Sequence, residues 1–218
     1  QGSSSNGLVK SIIRNIDNIY VLDKIPDYEP HKETSLGSKA KKLNREINDY
    51  IYDILLEEDG NSLLYYPIGN YLDYSLEASL EMISSDHTLL GLGDGGAHCA
   101  TICDASFTTH MLTFWGRDRT RGKKLDLPWI IKSYTRDNAL AIGLEDRGLI
   151  KEGMKADINI IDFNNLTLYS PEIRYDLPAG GKRLVQRVDG YKYTIVSGKV
   201  TYVDGVSTGE LPGRLIRS

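Results

Sequence analysis

The run Leu89-Leu90-Gly91-Leu92-Gly93-Asp94-Gly95-Gly96-Ala97-His98 constrains this chain more than any other stretch. Thr88 to Leu92 reads as a short buried strand that delivers one carboxylate into a turn lined with glycine. Gly93, Gly95 and Gly96 permit positive φ and leave room for another group beside Asp94. A carboxylate at the C-terminal end of a buried strand is the position from which a β/α barrel does its chemistry. The same residues also suit an acid that only caps a turn. Both readings stay open on the local pattern.

What precedes this run alternates in period. Asn18-Ile19-Tyr20-Val21-Leu22 is β-branched and aromatic, a strand signal. Pro26 and Pro30 then enforce a loop. Leu36 to Glu58 reads as one helix, with Leu43, Ile47, Tyr50, Ile51, Ile54 and Leu55 at three- and four-residue intervals and Gly60 as its stop. Ser62 to Ile68 is nearly continuous and apolar, as a strand buried on both faces should be. A second helix covers about Ser75 to Ile83, and the strand into Asp94 follows. Strand, helix, strand, helix, strand predicts a parallel sheet with covering helices.

After Asp94 a helix is expected from Asp104, with Phe107, Met111, Phe114 and Trp115 as an apolar stripe that reads as core. Asp126 can cap a further helix that has Pro128 in its first turn, and Thr135 to Ile142 reads as another short helix. From Arg147 the pattern changes to short β-rich runs between glycines. Ala156 to Asp162 is one strand, and Tyr193–Val196 and Lys199–Val203 form a hairpin across Ser197-Gly198. A domain boundary is therefore expected near residue 146, with residues 1–7 set aside as a tag remnant or disordered start.

Composition removes some classes of function. A net charge of −4 with no Lys/Arg cluster argues against a nucleic-acid partner. No apolar run is long enough for a membrane span, and no leader pattern is visible. The two cysteines, Cys99 and Cys103, suit small buried side chains on one helical face better than a disulfide. A reducing, cytoplasmic setting is the expectation.

Several landmarks then stand in a particular order. They are Gly91 to His98; Thr135-Arg136-Asp137-Asn138-Ala139-Leu140-Ala141-Ile142-Gly143-Leu144; the Gly148-Leu149-Ile150-Lys151-Glu152-Gly153-Met154-Lys155-Ala156-Asp157 run; and Asp176-Leu177-Pro178-Ala179-Gly180-Gly181-Lys182-Arg183. Together they resemble the C-terminal part of an amidohydrolase-superfamily enzyme, and more narrowly the N-acyl-D-amino-acid deacylase (D-aminoacylase) branch, from about Asn18 to Arg217. The resemblance implies an α/β fold. It would be a partial (β/α)8 barrel (last strands and helices) over residues 8–146, followed by part of a small β-sandwich over residues 147–218. It implies a metal-dependent hydrolase of non-peptide C–N (amide) bonds, with zinc as the usual metal and an N-acyl amino acid-like small molecule as substrate. Leu92 would end the eighth barrel strand. Asp94 would take a proton from the water at the metal and pass it to the leaving nitrogen, as metal-lowered water pKa values and a nearby carboxylate allow.

The His-x-His pair that the family carries on its first strand is absent here, since His31, His87, His98 and His110 are the only histidines. The resemblance therefore implies a fragment. Asp94 would ligate a metal only if the missing N-terminal ligands were supplied, because a catalytic zinc needs about three protein ligands. The chain alone is expected to bind no zinc and to be inactive. A barrel cut open leaves an unpaired edge, so a homo-oligomer or capture of the missing N-terminal half is expected. His98, four residues after Asp94, could reach the same site. Arg183, beside Lys182, could bind a substrate carboxylate through two parallel hydrogen bonds. A site of Asp94, His98, Cys99 and Cys103 matches no standard zinc spacing. Asp157 reads as structural, His31 and His87 as loop residues, His110 as a surface residue, and the fourteen tyrosines as spread without a stacking platform. Two other functions stay open: a dihydroorotase- or hydantoinase-like amidohydrolase, and a non-catalytic remnant acting as an interaction module.

Overall fold

The computed structural model describes residues 15–71, 73–91, 93 and 103–216. The chain divides into two compact units, Gln1–Met82 and Ile83–Ser218.

In the first unit β1 (Tyr20–Val21) pairs with β2 (Leu64–Tyr65), Tyr20 opposite Tyr65 and Val21 opposite Leu64. The pair is antiparallel, where the alternation of periods predicts a parallel one. The reason lies in the connection. The expected single helix is broken into α1 (Leu36–Lys42) and α2 (Ile47–Leu56). Asn44 takes φ 52, the left-handed conformation in which a short polar residue ends a helix. The Glu46 carboxylate then opens α2 by accepting from the backbone N–H groups of Asn48 and Asp49, at 2.6 and 3.2 Å. A second helical segment gives the chain one more reversal before it reaches β2. Ser35 caps α1 through Ser38 N at 3.1 Å, and the Leu36 N–H donates to the Ile19 carbonyl at 2.7 Å. That bond sets α1 against β1, so Leu36, Ile19 and Ile54 form the core, surrounded by Ile16, Val21, Ile47, Tyr50, Ile51, Leu64 and Tyr66.

α3 (Glu77–Ile83) follows a turn held by the buried Glu29, whose carboxylate accepts from Leu76 N at 2.8 Å. The tyrosines of this unit cluster, contrary to the even spread suggested by their spacing. Tyr65 packs against Tyr28 and Tyr20 at ring separations of 5.4 and 6.3 Å, and Tyr71 against Tyr74 at 6.4 Å, tilted or edge-on. The Tyr74 hydroxyl donates to Asn18 Oδ1 at 3.0 Å, and those of Tyr65 and Tyr71 donate to the Tyr28 and Pro30 carbonyls.

In the second unit, residues 88–91 form no strand, although Thr88–Leu92 carries a strand signal. Leu90 is buried, but its carbonyl accepts from the Asn138 side-chain amide at 2.5 Å, so a side chain takes the place of a ladder partner. Leu92 itself lies outside the described residues. The helical part starts with a 3-10 turn, Asp104–Ser106, and enters α4 (Phe107–His110), which widens into a π-helical stretch over Met111–Asp118. Met111 and Trp115 are buried, as the apolar stripe requires. α5 (Leu127–Lys132) has Pro in its first turn as expected, and runs through a π-helical Ser133–Asp137 into α6 (Asn138–Ala141).

Residues on both sides of position 146 belong to this unit. β3 (Ile158–Ile161), β6 (Tyr191–Val196), β7 (Lys199–Val203) and β8 (Val206–Ser207) make an antiparallel sheet in the order β3-β6-β7-β8. The β6–β7 turn is the expected two-residue one, with Ser197 at φ 49 and Gly198 at φ 77 and Val196 opposite Lys199. Between β3 and β6 the chain makes a two-stranded ribbon, β4 (Thr167–Leu177) with β5 (Gly181–Asp189). Three ties join the helices to these sheets. The Arg117 guanidinium donates to the carbonyls of Phe163, Asn164 and Leu166; the Ser106 hydroxyl meets the Gln186 side chain; and Thr109 Oγ1 lies 3.0 Å from the Tyr191 hydroxyl. No described helix is long and apolar enough to cross a membrane.

Candidate functional site

Asp94, His98 and Cys99 lie outside the described residues, so the site is built from what borders them. Gly93 and Asp104 stand on either side of that stretch, and they meet. A Cβ added to Gly93 would fall 2.3 Å from Phe107 Cδ1 and 2.5 Å from the Asp104 carbonyl oxygen. Only glycine tolerates that approach, so contact requires glycine at position 93. Gly93 and the 104–107 segment thus form one neck.

The neck has two supports. Asn138, at the start of α6, holds the Leu90 carbonyl just before it. Phe107 packs on Tyr134 with ring centres 5.9 Å apart. Burial pushes the Tyr134 phenol up to about 12, so it stays protonated and can only donate or accept a hydrogen bond near neutral pH. The Cys103 thiol is also pushed up, first by burial and then by the Asp104 carboxylate, which keeps it a thiol and a poor nucleophile.

The other candidates are dispersed. Arg183 already holds a carboxylate: its Nε and one terminal nitrogen donate to the two oxygens of Asp176, both at 2.7 Å. That pair keeps Asp176 below the usual carboxylate range. Asp157 accepts from the Ser197 N–H at 2.8 Å and from Arg147 at 3.4 Å, so it fastens the β6–β7 turn, in keeping with a structural role. His31 and His87 are exposed. His110 is not the surface residue its helical position suggests. Its ring stacks on Phe114 at 4.9 Å, nearly parallel, and burial holds its pKa down to about 4. The widened helix over Met111–Asp118 shifts the faces that a regular helix would present.

Among the described residues, no three His, Cys, Asp or Glu side chains come together as a metal-binding group. Two of the three described histidines face solvent and the third packs on an aromatic ring, so these residues do not fit a catalytic metal centre. The residues that shape the neck escape sequence reasoning, except that Asn138 and Arg136 both fall in the polar run Thr135–Asn138. A run of polar residues inside a helix is a signal that side chains are committed to backbone groups elsewhere. Arg136 donates to the Glu145 and Arg147 carbonyls, both at 3.0 Å.

Residues 61–202 fit the model of the amidohydrolase family, a span that contains Gly93, Asp94 and helices α3 to α6. No curated protein and no solved structure matches the chain.

Proposed function

The chain belongs to the amidohydrolase family, and from that premise we propose that it is the C-terminal portion of a deacylase acting on N-acyl-D-amino acids. The family is generally metal-dependent and hydrolytic. The finer reading rests on the Asp176-Leu177-Pro178-Ala179-Gly180-Gly181 run and its spacing from Gly91–His98. In this reading the helices and strands up to residue 146 supply the last part of a (β/α)8 barrel, and the antiparallel sheets supply part of a sandwich.

The observation that carries the proposal is the family match across Asp94 and its neighbouring glycines, together with the contact of Gly93 with Asp104 and Phe107. Asp94 is the proton carrier. A single carboxylate can accept a proton from the attacking water and return it to the leaving nitrogen, provided both lie within hydrogen-bond reach. In this reading Asp94 ligates a metal only with ligands supplied by an N-terminal portion, and zinc belongs to the assembled enzyme. His98 follows Asp94 closely enough to share its site. Arg183, bound to Asp176, shapes the ribbon in this structure.

The test is a chimera. The N-terminal portion of a working D-aminoacylase, with its His-x-His pair, is joined to this chain. Release of free amine from N-acyl-D-amino acids, lost in Asp94→Asn, supports the assignment. Hydrolysis confined to cyclic ureides or dihydroorotate, or activity unchanged by Asp94→Asn, overturns it. The chain alone is expected to release no amine and to retain no zinc after dialysis.

A further inference from the structure

We infer that the outer face of α2 is a docking surface for a positively charged amphipathic helix of a different protein. α2 is apolar on two sides. Ile54 lies in the core of the first unit, with Ile47, Tyr50 and Ile51 packed against that core. Tyr52, Leu55 and Leu56 stand three and four residues apart and are 63%, 41% and 57% accessible. At about 3.6 residues per turn they share an arc of roughly 100° that points away from Ile54. The outer side of a surface helix is normally polar, and a helix that is apolar all round is covered all round. Of the ten residues of α2 only Asn48, Asp49 and Asp53 are polar or charged.

Charge selects what covers this face. From Glu46 to Asp59 the chain carries six acids and no basic residue. Two of the six are engaged: Glu46 caps the helix, and Asp53 pairs with Arg45 at 2.5 Å. Among the described residues, no basic side chain pairs with Asp49, Glu57, Glu58 or Asp59. Asp49 borders the apolar arc. Glu57, Glu58 and Asp59 follow Leu56 directly, at the end of the helix where the backbone dipole already favours a cation. A partner bearing Lys or Arg beside its apolar stripe meets both demands at once. A second copy does not, because its α2 brings the same acids to the contact. The acids likewise repel anionic surfaces such as nucleic acid or an acidic bilayer.

The spacing of the anchors sets the partner's shape. Side chains at three- and four-residue intervals form the ridge that a second helix packs against, with its own side chains in the grooves on either side. A strand finds no backbone edge here, since the N–H groups inside α2 are spent on the helix itself. The surface lies wholly within the first unit and does not depend on the hydrolytic reading.

The test uses the full chain and two fluorescent synthetic peptides with leucines at helical spacing, one filled in with lysine and one with glutamate. Fluorescence anisotropy should show the Leu/Lys peptide binding, more weakly as salt is raised, and the Leu/Glu peptide not binding. Leu55→Ser combined with Leu56→Ser should weaken the Leu/Lys peptide on the order of tenfold or more. Should that variant lose its helical circular dichroism, Tyr52→Ser, at the most exposed of the three positions, takes its place. Glu57→Gln combined with Glu58→Gln leaves the apolar face intact and should also weaken binding and flatten its salt dependence. Four results overturn the proposal: no binding of the Leu/Lys peptide, equal binding of the Leu/Glu peptide, binding unchanged by the serine variants, or binding unchanged by the glutamine variant. A dimer of the unaltered chain in sedimentation velocity that the serine variants abolish overturns it in favour of a second copy.

Discussion

The two units meet the same demand with different chemistry. In both, carbonyls in the connections lack a ladder partner and must find a donor elsewhere. In the first unit the donors are neutral phenols. The Tyr71 hydroxyl bonds the Pro30 carbonyl, and the Tyr65 hydroxyl reaches the Tyr28 carbonyl at 3.4 Å. In the second unit the donors are guanidinium groups. Arg117 holds three carbonyls of the β3–β4 loop; Arg119, 1% exposed and lying over Trp115 at 4.7 Å, holds the Lys123 carbonyl at 2.9 Å; and Arg136 holds two more. A phenol donates once, whereas a guanidinium carries five donors in a fixed fork. One arginine can therefore organise a whole loop, and its loss should cost more.

The largest expected effect is at Arg117. Arg117→Ala leaves three carbonyls without their donor and should lower stability by about 4 kcal/mol. Urea unfolding followed by tryptophan fluorescence reads this directly, because Trp115 and Trp129 both lie in the second unit. Arg117→Lys keeps the charge but not the fork and should recover less than half. A loss under about 1 kcal/mol for Arg117→Ala would mean that the guanidinium ties contribute no more than surface contacts do.

Gly148 is next, because it brings the 145–147 turn against the backbone of residue 136. It takes φ +81, and an added Cβ would lie 2.7 Å from Arg136 Cα and 2.8 Å from Arg136 N. Gly148→Ala should cost about 3 kcal/mol, since neither backbone can yield and the conformation is left-handed. A thermal transition unchanged in this variant would show that the Arg136 ties tolerate displacement.

Acid should separate the two units through His110, which lies in the second. The folded ring has a pKa near 4, and the unfolded ring near 6.5. Between those values the unfolded chain binds the extra proton, so stability is full above pH 6.5 and falls as the pH drops towards 4. The loss should reach about 2 kcal/mol after allowance for partial exposure. His110→Phe, which keeps the stacking on Phe114, should remove that part of the pH dependence. An NMR titration placing the His110 pKa at 6 or above would refute the premise. In the first unit, burial holds Tyr65 well above the usual tyrosine value.

The smallest effect is at Tyr71. Tyr71→Phe removes one donor from the buried Pro30 carbonyl and should cost about 1 to 2 kcal/mol in thermal unfolding. A cost as large as that of Arg117→Ala would erase the distinction between the two units.

Local signals were legible wherever a short segment decides its own conformation. The Ser197-Gly198 turn is one example, because two residues able to take positive φ specify a hairpin by themselves. The helix starts near Leu36 and Leu127 are another. The break at Asn44 was not legible, since the apolar spacing continues through it and only the left-handed φ at Asn44 ends the helix. The same holds for residues 88–91. Their β-branched and apolar character suits a strand, but a strand exists only if a neighbour supplies the ladder, and here Asn138 takes that place.

The sequence by itself determined the family, the glycine-lined acid and the turn chemistry, because each rests on residue identity at fixed spacing. Tertiary structure alone decided which donors satisfy which carbonyls, the burial of His110, the engagement of Arg183 by Asp176 and the closeness of Gly93 to Asp104. These are contacts between residues far apart in sequence or set by helix geometry, and spacing along a chain carries no information about which of many polar groups will be brought within 3 Å of one another.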